Sequence, residues 1–161
     1  MHDVCFIKNL SSSTIDIIRY VYKDELFDEK KAVKFTPLSN NRGAMEGEFI
    51  PTEQCSYTNK PSKIFNALTS GILLNQLCFV YLLESGIIVP SEKIGSTGRI
   101  LLTNISIDCR GIISSKSERD YSFQILIDRN AKRDTGKIEL SLSKGRFLIR
   151  SDIIIASKDI H

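Results

Sequence analysis

The sequence contains very little histidine, and this absence removes the commonest acid–base chemistry. Only His2 and His161 occur, at the two ends, where chains are usually mobile. A Ser-His-Asp or Cys-His arrangement therefore has no base within the body of the chain. Any catalysis must use amides, hydroxyls, carboxylates and backbone dipoles.

Metal and cofactor motifs are also lacking in the sequence. The four cysteines form no CxxC pair, the carboxylates do not cluster at ligand spacing, and no glycine-rich phosphate loop occurs. We therefore expect no metal and no cofactor. Free thiols in a reducing cytoplasm are the simplest interpretation of the cysteines. The opening MHDVCF has no charged region followed by an apolar run, which predicts no signal peptide.

Charge and hydropathy argue against two further classes of partner. The net charge is only +3, and the basic residues are scattered, without the charged face and interleaved aromatics of a nucleic-acid-binding surface. The most apolar window, Leu68–Leu83, is interrupted by polar residues and is shorter than the roughly 20 residues of a membrane span. We expect neither nucleic-acid binding nor a membrane span, and a single domain over residues 1–161.

The first third of the chain predicts a short helix and two strands. Ser11–Thr14 supplies N-caps, and the apolar residues that follow at helical spacing predict an amphipathic helix ending near Asp24–Phe27. Strands are predicted at Lys31–Thr36, closed by Pro37, and at Ala44–Ile50.

The rest of the chain predicts one long helix and then four strands. The helix runs from Asn66 to Glu84, is apolar nearly all round, and ends at Gly86, which can adopt the left-handed cap. Strands are predicted at Ile100–Cys109, Tyr121–Asp128, Lys137–Ser143 and Arg146–Ala156. Hairpin turns are predicted at Asp134–Gly136 and Ser143–Gly145. This order predicts an α+β fold in which a β meander closes over one buried helix.

Three amide residues and one glycine are unexpected in this apolar helix. Asn66 lies at its start, as an N-cap or as a donor to a ligand. Asn75 and Gln76 lie in its middle, and burying an amide without partners costs about 1–3 kcal/mol. Asn75 is therefore either a core amide bonded to neighbouring backbone or the residue that binds a ligand carbonyl or a water. Gly71 provides close strand packing or room for an acyl chain.

The stretch from Gly47 to Leu77 carries a spaced set of motifs. It reads GEFIPTEQCSYTNKPSKIFNALTSGILLNQL. A glycine-x-Phe pair is followed by a loop containing Tyr57, by Phe-Asn-Ala at 65–67 and by Asn-Gln-Leu at 75–77. This pattern resembles the signature of the FcoT-type fatty-acyl thioesterases, a branch of the hotdog superfamily. The spacing between the two asparagines fits without a gap, and the segment before the first asparagine is one residue longer.

The resemblance implies a hotdog fold, in which a curved antiparallel sheet wraps around one long central helix. It also implies that Tyr57, Asn66 and Asn75 are the catalytic residues that line an acyl-thioester site. Near the start of the helix, a thioester carbonyl would meet unpaired N–H groups and the positive end of the helix dipole. Substrate contacts are expected from Phe65, Gly71, Gln76 and Phe79.

Two positions depart from the family pattern. A further family tyrosine, just before the first strand, has no clean match: Leu26 or Phe27 falls there, with Tyr22 nearby. A family histidine between the loop and the Phe-Asn pair is replaced by Ile64. The absence of a buried histidine also argues against a dehydratase, whose elimination uses a histidine with a carboxylate.

The resemblance implies hydrolysis of fatty acyl-ACP or acyl-CoA thioesters in lipid or natural-product biosynthesis, as in isonitrile-lipopeptide pathways. One alternative is addition of a glycine-like amine to an enoyl thioester, which needs the same carbonyl polarisation. The other is a non-catalytic module that binds an acyl carrier or a protein partner. Since one sheet covers only one side of an apolar helix and leaves an edge strand open, we also expect a homodimer or higher homo-oligomer.

Overall fold

The computed structural model describes residues 4–22, 25–51, 65–89, 99–129 and 133–156. These residues form two helices and seven strands. In chain order the elements are β1 (Phe6–Lys8), α1 (Ser12–Val21), β2 (Val33–Ser39), β3 (Arg42–Glu48), α2 (Ala67–Glu84), β4 (Arg99–Cys109), β5 (Asp120–Asp128), β6 (Asp134–Leu142) and β7 (Phe147–Ala156).

The seven strands form one antiparallel sheet in the order β1-β2-β3-β5-β6-β7-β4. Strands β5, β6 and β7 follow one another in space as they do along the chain. Strand β4, which follows α2, lies beyond β7 and, within the part of the chain that the structure describes, pairs with β7 alone. The edges of the sheet are therefore the short β1 and the long β4.

Helix α2 is the core around which the sheet is built. Tyr81, in its last turns, stacks on Phe35 of β2 with ring centroids 5.1 Å apart and packs against Phe123 of β5 at 5.8 Å. Its hydroxyl donates to the carbonyl of Thr36 at 3.0 Å. The same helix also packs against β4, β6 and β7. Because strands from both halves of the sheet contact one helix, the sheet wraps around α2.

The sheet does not cover α2 completely. By length and composition the helix could cross a membrane, but 67% of it is buried inside the protein, as in a core helix. On its N-terminal half, however, Leu68 is 49% exposed and Ile72 is 43% exposed. Large apolar side chains on a core helix are normally buried, so this face is available for a ligand or a second chain.

Helix α1 covers part of what the sheet leaves open. Ser11 caps it by accepting a hydrogen bond from the Thr14 amide at 3.3 Å. Ile15, Ile17 and Ile18 are buried, and α1 packs against α2. Helix α1 is therefore amphipathic, as its sequence predicts: one side is buried and the other is exposed.

Most of the predicted architecture is confirmed. The fold is α+β, with the two predicted early strands, β2 and β3, before the long helix and four strands after it, and Asn66 is the N-cap of that helix. Gly86 has a φ of +71°, which is the left-handed conformation expected just beyond the helix. The hairpin turn at Ser143–Gly145 is confirmed too, since all three of its residues have positive φ.

Three local predictions were wrong, and one strand was missed. Asp134–Gly136 is not a turn but the start of β6, paired with both β5 and β7. Pro37 lies inside β2, where a shift in register between Thr36 and Ser39 accommodates it. Helix α1 ends at Val21, before the predicted Asp24–Phe27, because Tyr22 is extended. Strand β1 was not predicted, since three residues are too few to show alternation.

The close approach of β3 to Tyr81 can be tested at Gly43. A Cβ added there would lie 1.7 Å from the Tyr81 hydroxyl oxygen, and the buried ring cannot move aside without losing its bond to Thr36. We expect Gly43→Ala to lower the free energy of unfolding by about 1–3 kcal/mol, the usual cost of overpacking. Urea denaturation measures this change.

Gly71→Ala is the matched control, because no atom of the described residues lies within 4 Å of a Cβ added at Gly71. Since alanine is favoured over glycine in a helix interior by about 1 kcal/mol, this variant should be stabilised. Equal unfolding midpoints for the two variants would contradict the packing described here.

Candidate functional site

The three predicted catalytic residues are Tyr57, Asn66 and Asn75. Tyr57 lies outside the described residues. Asn66 lies at the start of α2, where its Oδ1 accepts hydrogen bonds from the Thr69 amide at 2.9 Å and the Thr69 hydroxyl at 3.1 Å. Its Nδ2 donates to no partner among the described residues. Asn66 therefore caps the helix with one end of its amide and keeps a donor at the other.

Asn75 is bonded to a tyrosine from a distant part of the chain. Its Nδ2 donates to the hydroxyl oxygen of Tyr22 at 2.7 Å. Tyr22 is the C-cap that directly follows α1, and both side chains are half-buried. The amide is thus partnered by a side chain and not by neighbouring backbone. The pair places a phenol O–H beside an amide at the border between core and surface.

The chemical state of Tyr22 follows from its surroundings. Burial raises its pKa to about 12, the neighbouring Cys78 thiol adds to the rise, and the hydrogen bond from Asn75 opposes it. The Cys78 thiol is itself fully buried, and burial raises its pKa to about 12. At neutral pH both groups are protonated. Tyr22 is therefore a hydrogen-bond donor and not a base, and Cys78 is not a thiolate nucleophile.

The surface next to this pair is apolar. Leu68, Gly71, Ile72 and Asn75 recur at i, i+3, i+4 and i+7, so they lie along one face of α2. Leu68 and Ile72 are exposed, and there is open space above Gly71. Val21, the neighbour of Tyr22, is exposed as well. The polar pair therefore lies at one end of an uncovered apolar strip that continues toward the start of α2.

The remaining predicted substrate contacts lie deeper in the protein. Phe65 is buried between Phe49, at 5.3 Å between ring centroids, and Phe147, at 6.1 Å. Gln76 is fully buried, and its Oε1 accepts a hydrogen bond from the Leu26 amide at 2.9 Å. Phe79 is buried on α2. These three side chains are buried, and their contact with a substrate stays a prediction.

The two asparagines are not brought together. They are nine residues apart on one helix, which corresponds to about 13 Å along its axis. Asn66 bonds to its own helix and Asn75 bonds to α1. A single carbonyl group cannot contact both side chains of one chain. If both act on one substrate, they contact different parts of it.

Tyr22 is the member of the candidate site that was not predicted as a site residue. The signal for it was present: Ile15, Ile18 and Tyr22 follow helical spacing, so Tyr22 continues the buried face of α1. The family tyrosine without a clean match falls just after it in the sequence. What the pattern could not give was the partner, because Asn75 is 53 residues away.

Apart from the apolar strip on α2, a depression lies on the face of the sheet that points away from α2. It has a volume of about 590 Å³ and is lined by charged side chains that include Arg42, Lys137 and Arg150. Arg150 is already paired with Glu139 at 2.7 Å. Its lining also includes apolar residues such as Leu126, but among the described residues it holds no hydrogen-bonded pair of neutral side chains comparable to Tyr22 and Asn75. The Tyr22–Asn75 pair is therefore the better candidate site.

Comparison with solved structures shows the fold. A hypothetical thioesterase protein from Streptococcus pneumoniae TIGR4, determined with coenzyme A, matches with a TM-score of 0.50 and 5% identity over 91% of this chain and 96% of that chain. AziG of S. sahachiroi matches with a TM-score of 0.43 and 11% identity, over 78% of this chain and 91% of its own. A thioesterase from Haemophilus influenzae matches with a TM-score of 0.43 and 8% identity, covering 80% of this chain and 81% of that chain.

The predicted hotdog fold is thereby confirmed. No protein-family model matches the sequence. A search of curated proteins also finds no match. The resemblance to the FcoT-type branch accordingly stays a prediction, and at these identities the structural likeness carries the fold and not the activity.

The state of Tyr22 gives a testable pH dependence. Because its pKa is raised from 10.0 to about 12, the unfolded chain loses the phenol proton first as the pH rises. The stability contributed by the protonated, buried phenol is complete below pH 10 and is lost as the pH rises toward 12. We expect Tyr22→Phe to show a weaker loss of stability in this window, measured by urea unfolding as a function of pH.

Tyr20→Phe is the control, since it removes the hydroxyl of an exposed tyrosine on the same helix. Superimposable alkaline stability curves for wild type and Tyr22→Phe would show that Tyr22 is not buried as described.

Proposed function

We propose that this protein hydrolyses thioesters of fatty acids carried on coenzyme A or on an acyl carrier protein. The observation that carries the proposal is the hydrogen bond between Asn75 and Tyr22 at the end of an exposed apolar strip. A thioester substrate has the matching parts, an apolar chain next to a polarisable carbonyl. The solved structures with the same fold include thioesterases, and one of them was determined with coenzyme A.

The pair supplies two hydrogen-bonding groups with different roles. Asn75 donates its N–H to the Tyr22 oxygen, so the phenol proton of Tyr22 is free to donate to a substrate carbonyl. The Oδ1 atom of Asn75 accepts no hydrogen bond from the described residues, and can accept one from a water molecule. In this arrangement Tyr22 polarises the thioester carbonyl and Asn75 holds the attacking water.

The reaction then needs no ionised base. The water oxygen bonds to the carbonyl carbon, and the negative charge that develops on the carbonyl oxygen is stabilised by the Tyr22 O–H. The C–S bond breaks, the proton lost by the water is taken up by the departing sulfur, and an acid and a thiol leave. A donor that stays protonated at neutral pH suits this role, since its proton is shared with the oxyanion and not lost to solvent.

The apolar strip is the proposed site for the acyl chain. Leu68 and Ile72 flank the open space above Gly71, and each methylene that they bury contributes about 0.8 kcal/mol. Asn66 lies at the far end of the strip, where its Nδ2, which has no acceptor among the described residues, lies beside the N–H groups of the first turn. In one chain, therefore, Asn66 contacts a different part of the substrate from Asn75.

A second copy of the chain would complete the cover of this strip. Strand β4 has a free edge, and Leu101 and Ile105 on it are 53% and 49% exposed. An uncovered apolar edge is a surface that proteins normally pair. We propose that β4 pairs with β4 of a second chain, which brings two copies of α2 together and encloses both strips.

Addition of an amine to an enoyl thioester is the second candidate reaction. The observation that favours it is the chemistry of the pair, a neutral phenol and a neutral amide. Such groups polarise a carbonyl but do not strongly activate water, whereas an amine is a nucleophile by itself. The same Tyr22 donor would then stabilise the enolate oxygen instead of a tetrahedral oxyanion.

Turnover of a panel of acyl-CoA and acyl carrier thioesters tests the proposal. Tyr22→Phe removes one hydroxyl, and loss of one transition-state donor typically lowers kcat by about 10²–10³-fold. Asn75→Ala should lower kcat to a similar extent, and Tyr20→Phe should leave it unchanged. The assay follows thiol release, with mass spectrometry of enoyl substrates plus glycine for the addition reaction.

The outcomes separate the candidates. Amine adducts without free thiol would select the addition reaction. If neither product forms from any substrate, the protein is a binding module. Wild-type turnover in Tyr22→Phe would remove the phenol from the mechanism.

Asn66 permits a separate test, because capping and substrate contact use different atoms of its amide. Asn66→Asp keeps an oxygen acceptor for Thr69 and loses the Nδ2 donor, so stability should be retained while KM or kcat deteriorates. Asn66→Ala should in addition lose about 1 kcal/mol of stability, the usual value of an N-cap. Full activity of Asn66→Asp would reduce Asn66 to its capping role.

The proposed dimer is tested by light scattering at micromolar concentration. Ile105→Glu places a charge on the free edge of β4 and should produce monomers with reduced activity. Leu126→Glu, which adds the same charge on another exposed part of the sheet, is the control and should stay dimeric. A monomeric wild-type protein would contradict the paired-edge arrangement.

A further inference from the structure

Glu84 occupies an unfavourable position at the last residue of α2. Its side chain is only 2% exposed. Burial of a carboxylate is costly, and a negative charge at the C-terminal end of a helix also opposes the helix dipole. Nothing in α2 itself therefore favours this residue, so its stabilisation must come from the surrounding chain.

The N-terminal segment supplies that stabilisation. The Oε1 atom of Glu84 accepts hydrogen bonds from the Ser11 amide at 2.9 Å and the Ser11 hydroxyl at 2.8 Å. Its Oε2 atom pairs with the ammonium of Lys8. Ser11 is the N-cap of α1, so the carboxylate lies at the positive end of that helix. Burial would raise the pKa of Glu84, but the bonds from Lys8, Thr14 and Ser11 outweigh burial and lower it.

The opposite end of α1 is also anchored to α2. Tyr22 ends α1 and bonds to Asn75, nine residues before Glu84. Nine residues of helix correspond to about 13 Å, and the ten residues of α1 to about 15 Å. The two lengths match when α1 runs antiparallel along α2. Polar contacts to α2 then hold both ends of α1: those of Glu84 at the N-terminal end and that of Asn75 at the C-terminal end.

Between these anchors the contacts are apolar. Ile15, Ile17 and Ile18 bury the middle of α1. Apolar burial is not directional, so it does not by itself fix how far α1 lies along α2. If α1 moved along α2 by one helical turn, about 5.4 Å, apolar contact would remain but the hydrogen bond between Tyr22 and Asn75 would be lost. The position of Tyr22 must therefore be fixed by directional contacts.

We infer that Glu84 is a positioning residue: by binding Ser11 and Lys8 it fixes α1 along α2 and so holds the Tyr22 hydroxyl on Asn75. The inference rests on the proposed function for its effect on turnover, but its structural part stands without it. Glu84 contacts no reacting atom in this scheme. It acts over the length of α1.

The experiment compares Glu84→Ala with Glu46→Ala, which removes the same type of residue from an exposed pair with Lys34. A structural readout is the Cζ resonance of carbon-13-labelled tyrosine, with Tyr22→Phe to assign the Tyr22 signal. Glu84→Ala should shift the Tyr22 resonance toward that of a solvent-exposed phenol at neutral pH. Glu46→Ala should leave it in place. Urea unfolding confirms that each variant is folded.

The kinetic readout is a double-mutant cycle with Tyr22→Phe. Glu84→Ala should lower kcat by roughly 10- to 100-fold, the size expected when a reacting group is displaced by an ångström or more, with little change in KM. In the Tyr22→Phe background it should lower kcat no further, because the group that it positions is already gone.

Several results would overturn the inference. An unmoved Tyr22 resonance in folded Glu84→Ala would show that α1 is held without Glu84. A loss of kcat that multiplies with that of Tyr22→Phe would show that Glu84 acts by another route. If Glu84→Ala does not fold, Glu84→Gln replaces it: it retains the acceptor for Ser11, loses the charge for Lys8, and should shift the Tyr22 resonance by a smaller amount. Absence of turnover in the wild type would refute the proposed function alone, because the resonance still decides the role of Glu84.

Discussion

The structure depends on the burial of one apolar helix. Helix α2 is apolar nearly all round, and such a helix must be covered on most of its surface. The sheet wraps around it, with Tyr81 packed against Phe35 and Phe123 from two separate strands. The sheet leaves a strip of α2 uncovered at Leu68 and Ile72. The candidate site is thus a direct consequence of incomplete cover.

The polar side chains of α2 impose a second constraint, because a buried polar group without partners is costly. From the middle of the helix to its end, three of them are bonded to the same part of the chain. Asn75 bonds to Tyr22, Gln76 accepts from the Leu26 amide, and Glu84 binds Lys8 and Ser11. Residues 8–22 and Leu26 therefore dock on α2 through matched polar contacts as well as apolar burial. This docking sets the relative positions of the residues of the candidate site.

The chemistry available at the site is that of neutral donors. Burial keeps Tyr22 protonated, with its pKa raised to about 12, and keeps the Cys78 thiol protonated in the same way. With histidines only at the chain ends, the proposed mechanism relies on polarisation of a carbonyl by fixed donors. Fixed donors must be accurately placed, and for this reason the positioning of α1 bears on function as well as on stability.

The sequence by itself determined the features that depend on neighbouring residues. The Asn66 cap, the length of α2, the left-handed Gly86 and the alternating strands after it all follow from local spacing and conformational preference. The tertiary structure alone decided the strand order, the entry of Asp134–Gly136 into β6, and the partners of Asn75 and Glu84. Those partners lie 53 and 73 residues away, and hydrogen bonds over such separations leave no periodic pattern in the chain. They exist only because the burial of α2 brings the N-terminal segment against it.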